Sequence, residues 1–189
     1  MVAALAELTA ADLSAYTGGR LASGDAATAA VLAAALAAAR RYVGWSVSPV
    51  ASVTVTVDGP GGAVLSLPTR NLISITAISE DGEALDPADL DVSRTKGTVT
   101  KYPVGCWTSR PGGVTVTMSH GFTEAEAADW RRAVLRLADL MSRESGQRDS
   151  ADMVRKKVDD VEYQWADGIV STDEILASML APFRILPPP

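Results

Sequence analysis

Chemically reactive side chains are scarce in this chain. Its 189 residues include one cysteine, Cys106, and one histidine, His120. A single cysteine excludes an internal disulfide framework, and a single histidine excludes a metal site built from several imidazoles. The sequence also lacks a nucleophile paired with a base and a glycine-rich phosphate loop with its lysine. We therefore expect no enzyme, no cofactor and no metal.

We interpret both His120 and Cys106 as structural residues. His120 stands in the phrase Ser-His-Gly-Phe, between a predicted strand and a predicted helix. We expect its imidazole to hydrogen-bond the turn there. Cys106 precedes Trp107, and only Lys101 and Arg110 lie near it in sequence to lower the pKa of its thiol. We therefore predict a buried or half-buried small hydrophobe at Cys106 rather than a nucleophile.

The net charge is negative and unevenly distributed. The formal charge is −6 and the sequence pI is about 4.8. Most of the excess lies in residues 158–189, where Arg184 is the only cation and the acids are Asp159, Asp160, Glu162, Asp167, Asp173 and Glu174. This negative net charge argues against a protein that binds nucleic acid through a basic, phosphate-neutralising surface.

Long apolar runs are absent as well. The nearest is the alanine-rich stretch 26–39, which Arg40 and Arg41 follow directly. Because alanine is barely hydrophobic, we predict no membrane span. The first residues have no basic region and include Glu7 and Asp12 among their apolar residues, which is a poor match to a signal peptide.

Two helices are predicted in the N-terminal quarter. Thr9 with Asp12 forms a capping-box variant that opens a short helix ending near Gly18. Asp25 then caps a longer helix to about Val43, which Gly44 follows. The high alanine content of this second helix favours close packing against a neighbouring helix.

A third helix carries the most complete apolar stripe. Thr123 with Glu126 is a capping box, and Gly146 stands at the predicted end. Between them, large apolar residues recur at helical spacing and define a predicted core face: Trp130, Val134, Leu137 and Met141. Because the opposite face is charged, this stripe must be buried against another element.

In the segment between the second and third helices, apolar and polar residues alternate with the period of two that is typical of β-strands. Val53–Val57 and Ala63–Leu67 flank the turn sequence 58–62 and predict a hairpin. Further strands are predicted at Leu72–Ser79 with a tight turn over 80–83, at Leu90–Val92 paired with Thr98–Lys101, and at Val114–Met118. About 70 residues of antiparallel β structure therefore follow one another along the chain.

The C-terminal region contains a strand pattern with no sequential partner. Val161, Tyr163 and Trp165 alternate with polar residues. Such a strand needs an exposed sheet edge, in this chain or in another. Beyond it, a Ser171 cap predicts a last short helix that Pro182 ends.

Together these elements predict an α+β fold. It is a small α-helical bundle with an antiparallel β insertion between the second and third helices and an extended C-terminal segment. The predicted regions are N-terminal helices in residues 1–48, the β insertion in 49–122, the central core helix in 123–146 and a docking segment in 147–189.

Four phrases carry a resemblance to a known family. They are the helix end Arg40-Arg41-Tyr42-Val-Gly-Trp45, the stretch Val114–Phe122 that ends in Ser-His-Gly-Phe, the segment Val158–Trp165, and Leu180-Ala-Pro-Phe-Arg184. In this order they resemble the head-to-tail adaptor, or connector, proteins of tailed bacteriophages. Met118 and Ser119 depart from the family's phrase, and the β insertion is longer than the minimal helical adaptor has.

The resemblance implies a structural protein of the virion neck. Adaptors of this family are α-helical rings that dock beneath the portal protein, so it implies about twelve identical subunits around a DNA channel, without sequence-specific DNA binding. It also implies a downstream neck (stopper) or tail protein as a partner, no membrane, and synthesis in the cytoplasm of a bacterial host. The implied interface with the portal or a neighbouring subunit comprises Val161, Tyr163, Trp165, Leu180, Pro182, Phe183 and Arg184.

Two alternatives remain open at the level of sequence. Tyr163 and Trp165 can instead cover the chain's own core. The β region can be a ligand-binding or surface-adhesion module for glycans, with Trp107 exposed in its Gly/Pro-rich loop and stacking on a sugar. The competing interpretation of Trp107 is that it fills a gap between the strands and a helix.

Overall fold

The computed structural model describes residues 8–103, 105–146 and 174–185. These residues fall into two compact units. One is a β unit, Trp45–Glu126, and the other is a helical unit, whose described residues lie within Ala6–Gly44 and Ala127–Arg184. Helices and antiparallel sheets are both present, so the prediction of an α+β fold is confirmed.

The first two helices begin where their capping residues predict. The described helices are α1 (Ala10–Tyr16), α2 (Ala26–Val43), α3 (Ala128–Gly146) and α4 (Glu174–Leu180), which a 3₁₀ turn, Ala181–Phe183, follows. Thr9 and Asp12 form the predicted capping box, and Asp25 accepts a hydrogen bond from the Ala27 amide at 2.9 Å. Gly44 ends α2 with a left-handed φ of 86°, which glycine adopts without strain.

The start of α3 differs from its prediction. The capping hydrogen bonds form, since the Thr123 amide donates to the Glu126 carboxylate at 2.9 Å and the Glu126 amide donates to the Thr123 hydroxyl at 3.4 Å. Residues 124–127 nevertheless form a turn, and the regular helix begins at Ala128. The boundary between the two compact units falls in the same place, between Glu126 and Ala127.

The core of the helical unit lies where α2 and α3 pack together. From α2 the buried residues are Thr28, Leu32, Ala35, Leu36, Ala39 and Val43. From α3 they are Trp130, Ala133, Val134, Leu137 and Ala138, whereas Met141 at the far end of the stripe is only partly buried. Small alanine side chains on both helices allow their backbones to approach closely around the larger residues.

Helix α2 has the length and composition of a membrane span. Its 18 residues have a mean hydropathy of 1.3, and by length and composition alone it is long and apolar enough to cross a bilayer. Buried core helices pass the same test. Because one face of α2 is buried within the helical unit, we interpret it as a core helix.

The β unit is built from two antiparallel sheets. Its strands are β1 (Ala51–Val57), β2 (Val64–Ser66), β3 (Leu72–Glu80), β4 (Glu83–Leu85), β5 (Leu90–Ser93), β6 (Thr98–Lys101) and β7 (Val114–His120). The first sheet has the order β1-β7-β3-β4, and the second has the order β2-β6-β5. The predicted tight turn between β3 and β4 and the predicted hairpin of β5 and β6 are both confirmed.

The hairpin predicted across residues 58–62 is wrong. Strand β1 pairs with β7 along its whole length, from Ala51 opposite His120 to Val57 opposite Val114, and β2 pairs with β6 in the other sheet. The connecting loop is held by bonds to the segment before β7, with the Gly59 and Gly61 amides donating to the carbonyls of Arg110 and Thr108. The loop therefore carries the chain from one sheet to the other.

The apolar faces of both sheets contribute to one core. Its buried members are Leu65, Leu67, Leu72, Ile78, Val99, Trp107, Val114, Val116 and Met118. Trp107 is only 2% exposed, and its indole N–H donates to the Val99 carbonyl at 3.3 Å. Trp107 is therefore buried, as the competing interpretation expected, but its neighbours in this core come from the two sheets and not from a helix.

A charged contact joins the two sheets beside Trp107. Lys101 Nζ of β6 lies 2.6 Å from Glu80 Oε2 of β3 and 4.8 Å from the Trp107 ring centroid. Glu80 Oε1 accepts a hydrogen bond from the Thr108 amide at 2.6 Å. Burial raises the pKa of Glu80, but the bonds from Lys101 and Thr108 outweigh it, so the pKa lies below its ordinary value.

Replacing Glu80 with glutamine tests this contact. Because the folded pKa of Glu80 is lowered, its carboxylate stabilises the fold above the unfolded pKa of about 4.3, and this stabilisation is lost as pH falls through the folded pKa. We expect Glu80→Gln to cost about 2 kcal/mol at neutral pH, as for hydrogen bonds to a charged group. In acid, the difference from the wild type should disappear. Urea unfolding at pH 7 and pH 3 measures this.

Glu83 in β4 is the matched control, since it is an exposed glutamate three residues away. Glu83→Gln should leave the free energy of unfolding unchanged at both pH values. A loss in Glu80→Gln that is the same at pH 7 and pH 3 would show that the carboxylate charge is not the stabilising feature.

Candidate docking surface

The predicted interface residues divide between described and undescribed parts of the chain. Val161, Tyr163 and Trp165 lie outside the described residues. Leu180, Pro182, Phe183 and Arg184 are described and lie at the end of α4 and in the turn that follows it.

One face of this terminal segment is anchored on the helical unit. Leu176 and Leu180 are completely buried. The Phe183 ring meets the Trp130 ring of α3 edge-on, with 5.9 Å between centroids. Such an aromatic pair contributes about 0.5–1.5 kcal/mol beyond the area it buries. The leucine-x-proline-aromatic phrase therefore packs against the helices of its own chain.

Arg184 makes a second contact with the helices. Its guanidinium carbon lies 5.1 Å from the centroid of the Tyr42 ring near the end of α2. A cation above an aromatic face is attracted by the electron density of the ring, and guanidinium stacks there well. This contact connects two of the phrases that carry the family resemblance, one at the end of α2 and one at the end of the chain.

Part of the terminal segment is exposed in the described structure. Ile175 is 56% exposed, and Pro182 and Arg184 are also exposed. Ile175 thus exposes apolar surface near the start of α4, and Pro182 and Arg184 are exposed at the other end of the segment. This is the part of the predicted interface that the described residues present at the surface.

Ion pairs fix other elements of the helical unit. Asp139 of α3 pairs with Arg143 at 3.0 Å and with Arg20, which follows α1. Burial raises the pKa of Asp139, but the hydrogen bonds from Arg143 and Arg20 outweigh it and leave the pKa below its ordinary value. Arg131 also lies 3.8 Å from Asp12. The basic face of α3 is thus partly neutralised by the unit's own acids.

His120 has a packing role that differs from the predicted one. Its ring is 96% buried and lies beside Trp45, with 6.0 Å between ring centroids. Nδ1 has no hydrogen-bond partner in the described structure, so no bond from this atom to the turn is observed. Burial lowers the pKa of His120, which favours the neutral imidazole. The buried His120 ring therefore packs beside Trp45.

Two predictions for the loop before β7 have different outcomes. Cys106 is exposed rather than buried, because the neighbouring Trp107 turns inward and takes the core position. The same burial removes Trp107 from any stacking surface for a sugar. The glycan-binding hypothesis thereby loses the residue on which it depended.

Among the described residues, no group of three His, Cys, Asp or Glu side chains could hold a metal ion.

A surface that the sequence analysis did not predict is the outer edge of β1. The predicted hairpin of β1 with β2 does not specify which strand lies at the edge of the sheet. The observed order places it outermost in its sheet, with β7 on one side only. The strand contains no charged residue and no proline, as its sequence Ala-Ser-Val-Thr-Val-Thr-Val shows. Strands of this composition can pair on both sides, so this feature of the sequence could have indicated the surface.

Comparisons with known proteins identify the fold. No protein-family model and no curated protein matches the sequence. Among solved structures, a chain in the neck of the native GTA particle, computed with C12 symmetry, has a TM-score of 0.58 at 15% identity, covering 100% of this chain and 97% of that one. This chain has the fold of a gene transfer agent neck component. That shared fold is consistent with the resemblance to head-to-tail adaptors.

Two further structures give the same result. A chain in the neck of the empty GTA particle, computed with C6 symmetry, has a TM-score of 0.58 at 16% identity and coverage of 100% and 97%. A chain in the virion of the native gene transfer agent particle has a TM-score of 0.56 at 17% identity and coverage of 100% and 95%. The neck fold therefore includes both the helical and the β unit.

The Phe183–Trp130 contact yields a stability prediction. Phe183→Ala should destabilise the helical unit by about 1–3 kcal/mol, because Phe183 is half-buried and less is lost than the roughly 3–5 kcal/mol for a fully buried phenylalanine. Pro182→Ala is the matched control, since the Pro182 side chain is exposed. Denaturant unfolding followed by tryptophan fluorescence measures both. Equal stability of the two variants would show that the aromatic pair does not hold the terminal segment.

Proposed function

We propose that this protein is a structural subunit of a virion neck, a head-to-tail adaptor that forms a ring beneath the portal protein. The observation that carries the proposal is the fold shared along the whole chain with components of a gene transfer agent neck. The adaptor phrases in the sequence support the finer assignment within the neck.

The assembly we propose is a closed ring of about twelve identical copies. Its support is the C12 and C6 symmetry with which the related necks were computed. Cyclic rings larger than a dimer require two different surfaces on each subunit, one that meets each neighbour. We take the C-terminal region, which includes Val161–Trp165, and the β1 edge as these two surfaces.

The proposed contact with the portal or a neighbouring copy involves the C-terminal region. Leu180 and Phe183 hold α4 on the helical unit, and Pro182 and Arg184 lie at its exposed end. Val161, Tyr163 and Trp165 precede this anchor in sequence and complete the proposed interface. Large aromatic side chains are frequent anchors of protein interfaces, which supports the choice of Tyr163 and Trp165.

DNA would pass through the ring without specific recognition. The net charge of −6 disfavours adhesion of phosphates, provided that the acids face the channel. The further partner would be a downstream neck (stopper) or tail protein. In this proposal the chain is made in the bacterial host's cytoplasm and acts in the virion, between capsid and tail.

Mixing the purified protein with the portal ring encoded by the same genome tests the proposal. Negative-stain or cryo-electron microscopy should show an added ring on the narrow face of the portal. Bare portals beside free protein, under conditions that mimic the packaged state, would contradict the adaptor role.

Point substitutions test the interface better than deletion of residues 158–189, which would also remove Leu176, Leu180 and Phe183 from the helical core. Truncating an anchor typically costs about 2 kcal/mol, so Trp165→Ser should weaken assembly on the portal about thirtyfold. The measurement is the fraction of decorated portals across a concentration series. Tyr102→Ser is a control at an aromatic residue of the β unit that is 67% exposed. Equal loss in both variants would contradict the assignment of Trp165.

A further inference from the structure

The outer edge of β1 is the longest open strand edge in the described structure. β1 has seven residues, whereas the other outermost strands, β2, β4 and β5, have three, three and four. Within the described residues, β1 forms its backbone ladder with β7 alone. The backbone N–H and C=O groups on its other side therefore face outward and can accept another strand.

This edge lacks the features that usually prevent strand addition. Proteins protect long edges with charged side chains, prolines or bulges. β1 has no charged residue and no proline, and its register with β7 is regular over all seven residues. In contrast, the pairing of β3 with β7 contains register shifts. This regular, uncharged edge thus has the features of a surface that is covered in the assembled protein.

The two faces of β1 define what a partner strand must look like. Val53, Val55 and Val57 point toward the core of the β unit and are only partly buried. On the other face, Thr54 and Thr56 are exposed and pair with threonines of β7. An added strand that covers the valines needs apolar residues at every second position, with polar residues between them.

This chain contains one segment of that description outside its described residues. Val161, Tyr163 and Trp165 alternate with Glu162 and Gln164, so five residues match the valine–threonine alternation of β1. The segment is joined to α3 through residues 147–160 and to α4 through residues 166–173, which could span roughly 45 Å and 25 Å when fully extended, at about 3.3 Å per residue. The shorter connection therefore limits the segment to strands within about 25 Å of the start of α4.

We propose that the Val161–Trp165 segment of one copy adds as a strand to the outer edge of β1 in the neighbouring copy. This inference rests on the proposed ring, because a cyclic ring needs two unlike surfaces on each subunit, and the edge and the segment provide them. Backbone hydrogen bonds supply the pairing, and Tyr163 and Trp165 extend the row of valines over the open side of the core.

Disulfide cross-linking of full-length chains tests the pairing. In a Cys106→Ser background, Thr54→Cys places a thiol on the exposed face of β1, and Glu162→Cys or Gln164→Cys in a second chain covers the two polar positions of the segment. The chains are mixed, alone and with the portal, oxidised and separated on non-reducing gels. We expect about tenfold more heterodimer than with Ser66→Cys, the control on the exposed face of β2, which corresponds to preferential pairing by about 1.4 kcal/mol.

Each outcome separates this inference from the proposed function. Rings on the portal with no excess of the heterodimer over the control would overturn the strand pairing and leave the adaptor role intact. The heterodimer with bare portals would support the pairing and contradict the adaptor role. If chains carrying both cysteines form only an internal disulfide, the segment pairs with its own chain, and the neighbouring-copy assignment is wrong.

Discussion

The β unit depends on the burial of the apolar faces of its two sheets against each other. Neither sheet can bury its apolar side chains alone, because each has only three or four strands. Trp107 fills the remaining space, and Glu80 with Lys101 joins one sheet to the other beside it. Because this arrangement uses the inner faces and the β1–β7 ladder, it leaves the outer edge of β1 without a partner in the described structure.

The helical unit is also held together by the burial of apolar faces against each other. Its alanine-rich α2 and the striped α3 bury each other's apolar faces, and α4 adds Leu176 and Leu180 to that core. Phe183 on Trp130 and Arg184 on Tyr42 then hold the end of the described chain in place. The adaptor-like terminal phrase is thus first an anchor for its own helices, and only its exposed side is free to contribute to docking.

These features give the proposed neck function a physical basis. Among the described residues no group of three His, Cys, Asp or Glu side chains could hold a metal ion, and burial lowers the pKa of the buried His120. The chain has three features suited to association with other subunits. They are an unprotected strand edge, an anchored terminal helix and a segment whose sequence alternates as in a strand. Subunits that associate through unlike surfaces form rings when the rotation between neighbours closes, as in the symmetric necks whose chains share this fold.

The sequence by itself determined the features that depend on neighbours along the chain. Thr9, Asp25 and Gly44 marked helix ends correctly, and the short turns at 80–83 and 96–97 gave the right hairpins, because capping and tight turns involve residues a few positions apart. Only the tertiary structure decided that β1 pairs with β7, that Trp107 is buried while Cys106 is exposed, and that Phe183 packs on Trp130. Those outcomes join residues more than fifty positions apart or follow from competition for one core, and a local pattern does not specify which distant partner is bound.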